Sequence, residues 1–210
     1  FINTNLTPPK KLVPDDVYIR ECYLTGNAIN CYYGRFRDKD LGKLLNLTNG
    51  VALLIGHNKG DSPIGKFFGG SVKSRNLTLR SGASEKTKFI VPKFYWMRSA
   101  SNAEDLRTNI DGGVYNQASI SWYYELPTCS ICGKDIRMCS HVPGVEYKSG
   151  TCFYWYDDIK YVAEGSIVYA GGHPGTKFNL ELTSDNEIKK KVITLKYGDR
   201  IIKHGLPVKE

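Results

Sequence analysis

The chain has 210 residues, 41% hydrophobic and 24% charged, with a net charge of +8. That is enough to enclose one substantial core with a small embedded module, whereas the longest clean apolar run, Val51 to Ile55, falls far short of the about 20 residues that span a bilayer. The basic balance, with a pI near 9.1, comes from scattered Lys and Arg and one run at Lys189–Lys191 without an aromatic–basic motif, so neither a nucleic-acid partner nor a membrane is expected. No charged-then-apolar leader opens the sequence, and four of the six cysteines fall in or just after one segment. A soluble protein of a reducing compartment is the expectation.

Residues 1–14 carry Pro8–Pro9 and Val13–Pro14 breaks and little apolar pattern, which predicts an extended N-terminal arm ahead of a folded domain over 15–180. Val17 to Leu24 is rich in β-branched and aromatic residues and reads as a strand ending at Thr25-Gly26-Asn27. Asp38 to Leu45 joins an acidic start to leucines at helical spacing and reads as a short helix. Val51 to Ile55 is a buried-type strand that runs into Gly56-His57, placing His57 at a strand end, and a further strand begins over Pro63–Phe68. Lys88–Pro92 reads as a strand and Asn102–Ile110 as a helix with an Asn cap, an acidic first turn and a Gly112-Gly113 stop. Val114–Tyr124 is a mixed polar and aromatic strand bearing Ser119 and Ser121. Glu164–Tyr169 is a later strand, followed by the glycine-rich Ala170–Gly175, and 181–210 forms a basic C-terminal segment. Many short strands with two modest helices predict a mainly β (α+β) fold, a barrel with a few peripheral helices.

Between the serine-bearing strand and the acidic one lies a loop, 127–152, that holds Cys129, Cys132, Cys139 and His141. Thiolates and neutral imidazole are the donors Zn²⁺ prefers, and Cys-x-x-Cys turned back toward Cys-x-His can close a tetrahedron. Four protein ligands leave no position for water, so such a zinc is structural. Cys152 is an alternative fourth ligand should His141 point away.

Three segments carry a resemblance. Leu53-Leu54-Ile55-Gly56-His57-Asn58 followed by Pro63-Ile64-Gly65-Lys66 is similar to an apolar strand, Gly-His-Asp, then Pro-Ile-Gly-Arg. Ala118-Ser119-Ile120-Ser121-Trp122 is similar to Val-Ser-Ile-Gly-Phe, and Glu164-Gly165-Ser166-Ile167-Val168 to Glu-Val-Ser-Leu-Val. In that order, over about Tyr18 to Gly175, they resemble the prohead maturation proteases of tailed phages, some of which carry a Cys-x-x-Cys…Cys-x-His insertion at this place. The resemblance implies an assemblin-like β-barrel and a serine endopeptidase. Its partners would be scaffold and major capsid protein precursors inside an assembling prohead in the host cytoplasm, with autoproteolysis and with self-association left open. It further implies His57 as base, Ser119 as nucleophile and Glu164 as the group that orients the base, with His173 the alternative third member and Ser121 a rival nucleophile. Ser121 stands where the family has Gly, Trp122 where it has Phe, and Gly165 where it has a β-branched residue. The first two crowd the serine strand and the third loosens its neighbour. These departures carry an alternative reading: a catalytically inactive derivative retained as a structural or assembly protein of the virion.

Overall fold

The computed structural model describes residues 1–78 and 84–179, with the main chain of 202–203 and 206–207. The expected basic segment 181–210, including Lys189–Lys191, otherwise lies outside the described residues. In chain order the described elements are β1 (Val17–Tyr23), β2 (Thr25–Gly26), β3 (Gly34–Arg35), α1 (Leu41–Leu47), β4 (Ala52–Ile55), β5 (Gly65–Thr78), β6 (Ser84–Met97), α2 (Ala103–Asp111), β7 (Gln117–Cys129), β8 (Glu146–Tyr147), β9 (Gly150–Thr151), β10 (Tyr154–Val168) and β11 (Lys177–Asn179). The main sheet has nine strands along the path β11-β1-β6-β5-β4-β10-β3, with β2 paired to β6 and β7 paired to β10. The mainly β expectation holds. A closed barrel does not form among the described residues: Phe178 N–H reaches Asn116 O at 3.2 Å, but the ladder stays open between β7 and the strands facing it.

The core is aromatic. Phe67, Phe94 and Trp96 from the β5–β6 ribbon meet Leu53 of β4, Ile120 of β7, Tyr156 of β10 and Phe36, while α1 and α2 bring Leu41, Leu44, Leu106 and Ile110 against the same cluster. Burying residues of this size contributes about 1.5–3 kcal/mol each, which fixes how the two ribbons face one another. Trp96 ties α2 to the sheet through its indole N–H to Ala103 O at 3.2 Å. Arg20, though 2% exposed, is held by two bonds of 2.7 Å to Asp111 at the end of α2. Such a charge is tolerated in the interior because it is paired in fork geometry.

Several elements differ from the sequence expectation, each for a local reason. Residues 1–14 are not an extended arm. Ile2–Leu6 forms a single helical turn whose Ile2 and Leu6 join Leu12 against Val17, Phe68 and Tyr95, and Asn3 exchanges two bonds with Leu12 to fasten it. The helix expected at Asp38–Leu45 is a 3₁₀ turn over Asp38–Asp40 followed by α1. Asn102 precedes α2 without a capping side-chain bond. Strands β5 and β6 are far longer than the segments Pro63–Phe68 and Lys88–Pro92, because ladder pairing extends them through polar residues. Pro92 sits inside β6 even though it has no N–H to give. Opposite it the register slips between Phe68 and Ser71, where Gly69 and Gly70 take φ 52° and 108°. A Cβ on Gly70 would strike Val91 O and Pro92 Cα. The glycine pair is therefore the bulge that lets a proline occupy this strand.

Gly165, expected to loosen β10, instead makes room for a core side chain. A Cβ there would lie 2.5 Å from the ring of Phe67, which is 1% exposed. Gly165→Val should therefore lower stability by about 1–3 kcal/mol through overpacking, read as a reduced urea midpoint with unchanged m-value.

Candidate functional site

Strand β4 runs parallel to β10, with Leu54 opposite Ser166, and the ladder continues one step past its end through Gly56 N–H to Ile167 O at 2.8 Å. The chain then reverses. Gly56 and His57 both lie in the left-handed region, at φ 62° and 60°. For histidine this conformation costs on the order of 1–3 kcal/mol and persists only where neighbours enforce it. Here a bond of 3.1 Å from His57 N–H to Ser166 Oγ does so. The turn folds the imidazole back over β10.

On the other edge of β10 lies β7, antiparallel, with Ser119 across from Ser166 and Ser121 across from Glu164. Side chains alternate along a strand, so Ala118, Ile120, Gly165 and Ile167 face the core while Ser119, Ser121, Glu164 and Ser166 share the outer face. The His57 ring closes over that row. Nδ1 stands 2.7 Å from Glu164 Oε1 and 3.4 Å from Ser121 Oγ, and Ser166 Oγ donates to Glu164 Oε2 at 2.6 Å. Glu164 is 2% exposed. Burial pushes its carboxyl up, but hydrogen bonds from His57, Ser121 and Ser166 outweigh this and hold it below the usual carboxylate range.

The structure thus brings His57 and Glu164 into direct contact. Ser119 shares their face but makes no side-chain hydrogen bond among the described residues, and the serine within reach of a ring nitrogen is Ser121. The physical reason is the orientation of the imidazole. Nδ1 points at the acid and Ser121 lies on the acid's side, whereas Nε2 has no protein partner among the described residues. His173 makes no hydrogen bond to His57, Ser119 or Glu164 among the described residues, although it lines one small cavity with Ser119: its ring packs edge-on against Phe89 at 5.3 Å, its Nδ1–H goes to Pro174 O at 2.8 Å, and burial lowers its pKa to about 4. Gly171 N–H is directed at Gln117 Oε1, 3.4 Å away. Ser166, which links His57 to Glu164, was not among the expected residues. A Glu-x-Ser spacing within a strand, which puts both side chains on one face, is the signal that could have found it.

The cysteine loop grows from the far end of the same two strands. Gly133, at φ 72°, turns the chain so that Cys129 N–H meets Lys134 O at 2.8 Å and Gly133 N–H meets Cys129 O at 3.0 Å, and Ile131 N–H points at Cys129 Sγ at 3.4 Å. Asp135 caps the short turn Ile136–Met138, which delivers Cys139 and His141. Ser130 then clamps the return of the chain: its N–H donates to Phe153 O at 2.9 Å and its Oγ accepts from Phe153 N–H at 3.0 Å. The donor atoms of Cys129, Cys132, Cys139 and His141 all lie within 4.8 Å of one another. Thiolates around one tetrahedral zinc stand roughly 3.8 Å apart, so the four residues fit a metal ion. His141 Nδ1 is buried with no hydrogen-bond partner among the described residues. Burial pushes the Cys129 thiol up, but N–H groups of Cys132 and Ile131 and the neighbouring thiols reverse this and lower it. Cys152, fully buried, is pushed up to about 11 by burial and by Cys129 and Cys139. Ser121 and Cys129 are separated by roughly 27 Å of extended strand, so a metal held here takes no direct part in chemistry at His57.

The depressed Glu164 carboxyl has a consequence for acid stability. The stabilisation it provides is present in full above the ordinary value of 4.5 and is lost as pH falls through the lower, folded value. Urea midpoints of the wild-type chain and Glu164→Gln, compared across pH, should differ by a constant amount near neutrality and converge below about pH 4.5. No protein-family model, no curated protein and no solved structure matches this chain.

Proposed function

We propose that the chain is a serine endopeptidase of the prohead maturation type, with His57 as base, Ser119 as nucleophile and Glu164 as the orienting acid. The observation that carries this reading is the 2.7 Å contact between His57 Nδ1 and a buried carboxylate, on a sheet face that also holds the strand serines. With Nδ1–H given to Glu164, Nε2 is the basic nitrogen. Ser121 is on the wrong side of the ring to use it, which favours Ser119. In the reaction Ser119 Oγ attacks the scissile carbonyl carbon and its proton passes to Nε2. The imidazolium, stabilised by Glu164, then protonates the leaving amine, and water repeats the sequence on the acyl-enzyme. Hydrogen bonds around a serine protease base are often long before substrate binds and tighten with it.

Trp122 does not crowd this face. It packs on the core side against Phe36 and Tyr156 at 5.0 and 4.8 Å, so its bulk gives no support to an inactive derivative. The mainly β sheet, with Phe178 N–H bonded to Asn116 O, supports an assemblin-like fold whose barrel is left open among the described residues. Scaffold and major capsid protein precursors are the proposed substrates, within a prohead, and the chain is proposed to cut itself as well.

Intact-mass analysis of the purified chain, together with labelling by a fluorophosphonate, tests the peptidase. Ser119→Ala should abolish labelling and lower cleavage at least about 10³-fold, while Ser121→Ala keeps both within about tenfold. Loss only in Ser121→Ala would move the nucleophile, and an unlabelled, uncut wild-type chain that is folded would sink the reading.

The ion at Cys129, Cys132, Cys139 and His141 is proposed to be Zn²⁺ in a structural role, because soft donors and a closed set of four suit it. Elemental analysis of protein purified without chelator should give one zinc per chain, and none in Cys132→Ser. Chelation should raise hydrogen exchange within 127–152 while β1 and β6 stay protected.

A further inference from the structure

The contacts around His57 close into a ring. From His57 main-chain N–H the path goes to Ser166 Oγ at 3.1 Å, from Ser166 Oγ to Glu164 Oε2 at 2.6 Å, and from Glu164 Oε1 back to His57 Nδ1 at 2.7 Å. It leaves from the backbone of one residue and returns to its side chain. Ser166 is fully buried and has a single proton. An ionised carboxylate can only accept, so that proton goes to Glu164 and the Oγ lone pair remains for His57 N–H. Nδ1 must then carry its own proton to reach Oε1, which in the neutral ring leaves Nε2 bare.

We propose that Ser166 is the positioning residue of the site, holding His57 in its left-handed turn and in the Nδ1–H tautomer by bridging its main chain to the far oxygen of Glu164. The assignment deepens the peptidase reading and rests on it for any effect on turnover, but its geometric half stands without turnover. Ser166 touches no reacting atom; it acts through Glu164 and His57. Without its hydroxyl the His57 N–H loses its acceptor, Glu164 keeps only the bonds from His57 and Ser121, and the imidazole is free to turn and change tautomer. A packing role alone would predict a loss of stability with the tautomer unchanged.

The test is long-range ¹H–¹⁵N NMR of the four histidines in the full zinc-loaded chain at pH 7.5, with Ser166→Ala beside the wild type. His57 is assigned by its loss in His57→Ala, and fluorophosphonate labelling is read in parallel. The wild type should show His57 protonated at Nδ1 alone. Ser166→Ala should show a mixture of both tautomers and label at least about tenfold more slowly. Ser166→Cys, nearly isosteric and a weak hydrogen-bonding group, carries the same expectation if the alanine variant does not fold. A folded variant that keeps the pure Nδ1–H tautomer would overturn the proposal, whatever its labelling. If the wild type fails to label but the tautomer shifts as described, the peptidase reading falls while the positioning role stands.

Discussion

The antiparallel pairing of β7 with β10 is the constraint on which both candidate sites depend. It sets Ser119 across from Ser166 and Ser121 across from Glu164, and at its far end it sets Cys129 across from Tyr154, where the cysteine loop begins. A slip of one residue would turn Glu164 and Ser166 into the core and bring Gly165 and Ile167 to the surface. The core prevents it, because Phe67 fills the space that Gly165 leaves and Ile120 and Ile167 are buried beside it. Two irregularities in β10, after Ile159 and after Val162, adjust the count so that Glu164 meets Ser121. The chemistry of the outer face is thus fixed by packing on the inner one.

A metal at the cysteine loop belongs to the same logic. The loop interrupts the connection between the two strands, and without a fixed shape it would leave their pairing joined by a long irregular excursion. An ion held there would shorten the effective loop and lower the entropy lost when β7 and β10 align. Ser130 and Phe153 continue the pairing beyond the last ladder residues, so the loop and the ribbon are one mechanical unit.

What could be read in advance follows from how local each signal is. The Cys129–His141 cluster was legible because donor type and spacing are contained in one segment. His57 was legible because an apolar run meeting Gly-His marks a strand end. Glu164 needed the resemblance, since nothing local separates it from a surface carboxylate. Ser166 was missed because its value lies in register: only pairing with β4 and β7 brings it beneath His57. The preference between Ser119 and Ser121 depends on which imidazole nitrogen faces Glu164, an orientation that depends on a carboxylate 107 positions away and is invisible in composition. The outer halves of β5 and β6, rich in Lys, Ser and Asn, lack an apolar period and become strands only by pairing with each other. The N-terminal turn, fastened by Asn3 and Leu12, likewise depends on contacts beyond its own sequence.

His57 and Glu164 are separated by 107 positions along the chain, and β4, paired with β5 on one edge, gains its other neighbour only with the late strand β10. A ribosome adding 5–20 residues each second needs roughly 5–20 s to cover that distance. During this interval β4 exists with no acid to orient its histidine and with no Ser166 to hold the strained turn. The pair is therefore absent from the nascent chain and arises only after the cysteine loop has also been made. Order of synthesis acts as a built-in delay, so that the assembled group appears only in a nearly finished domain.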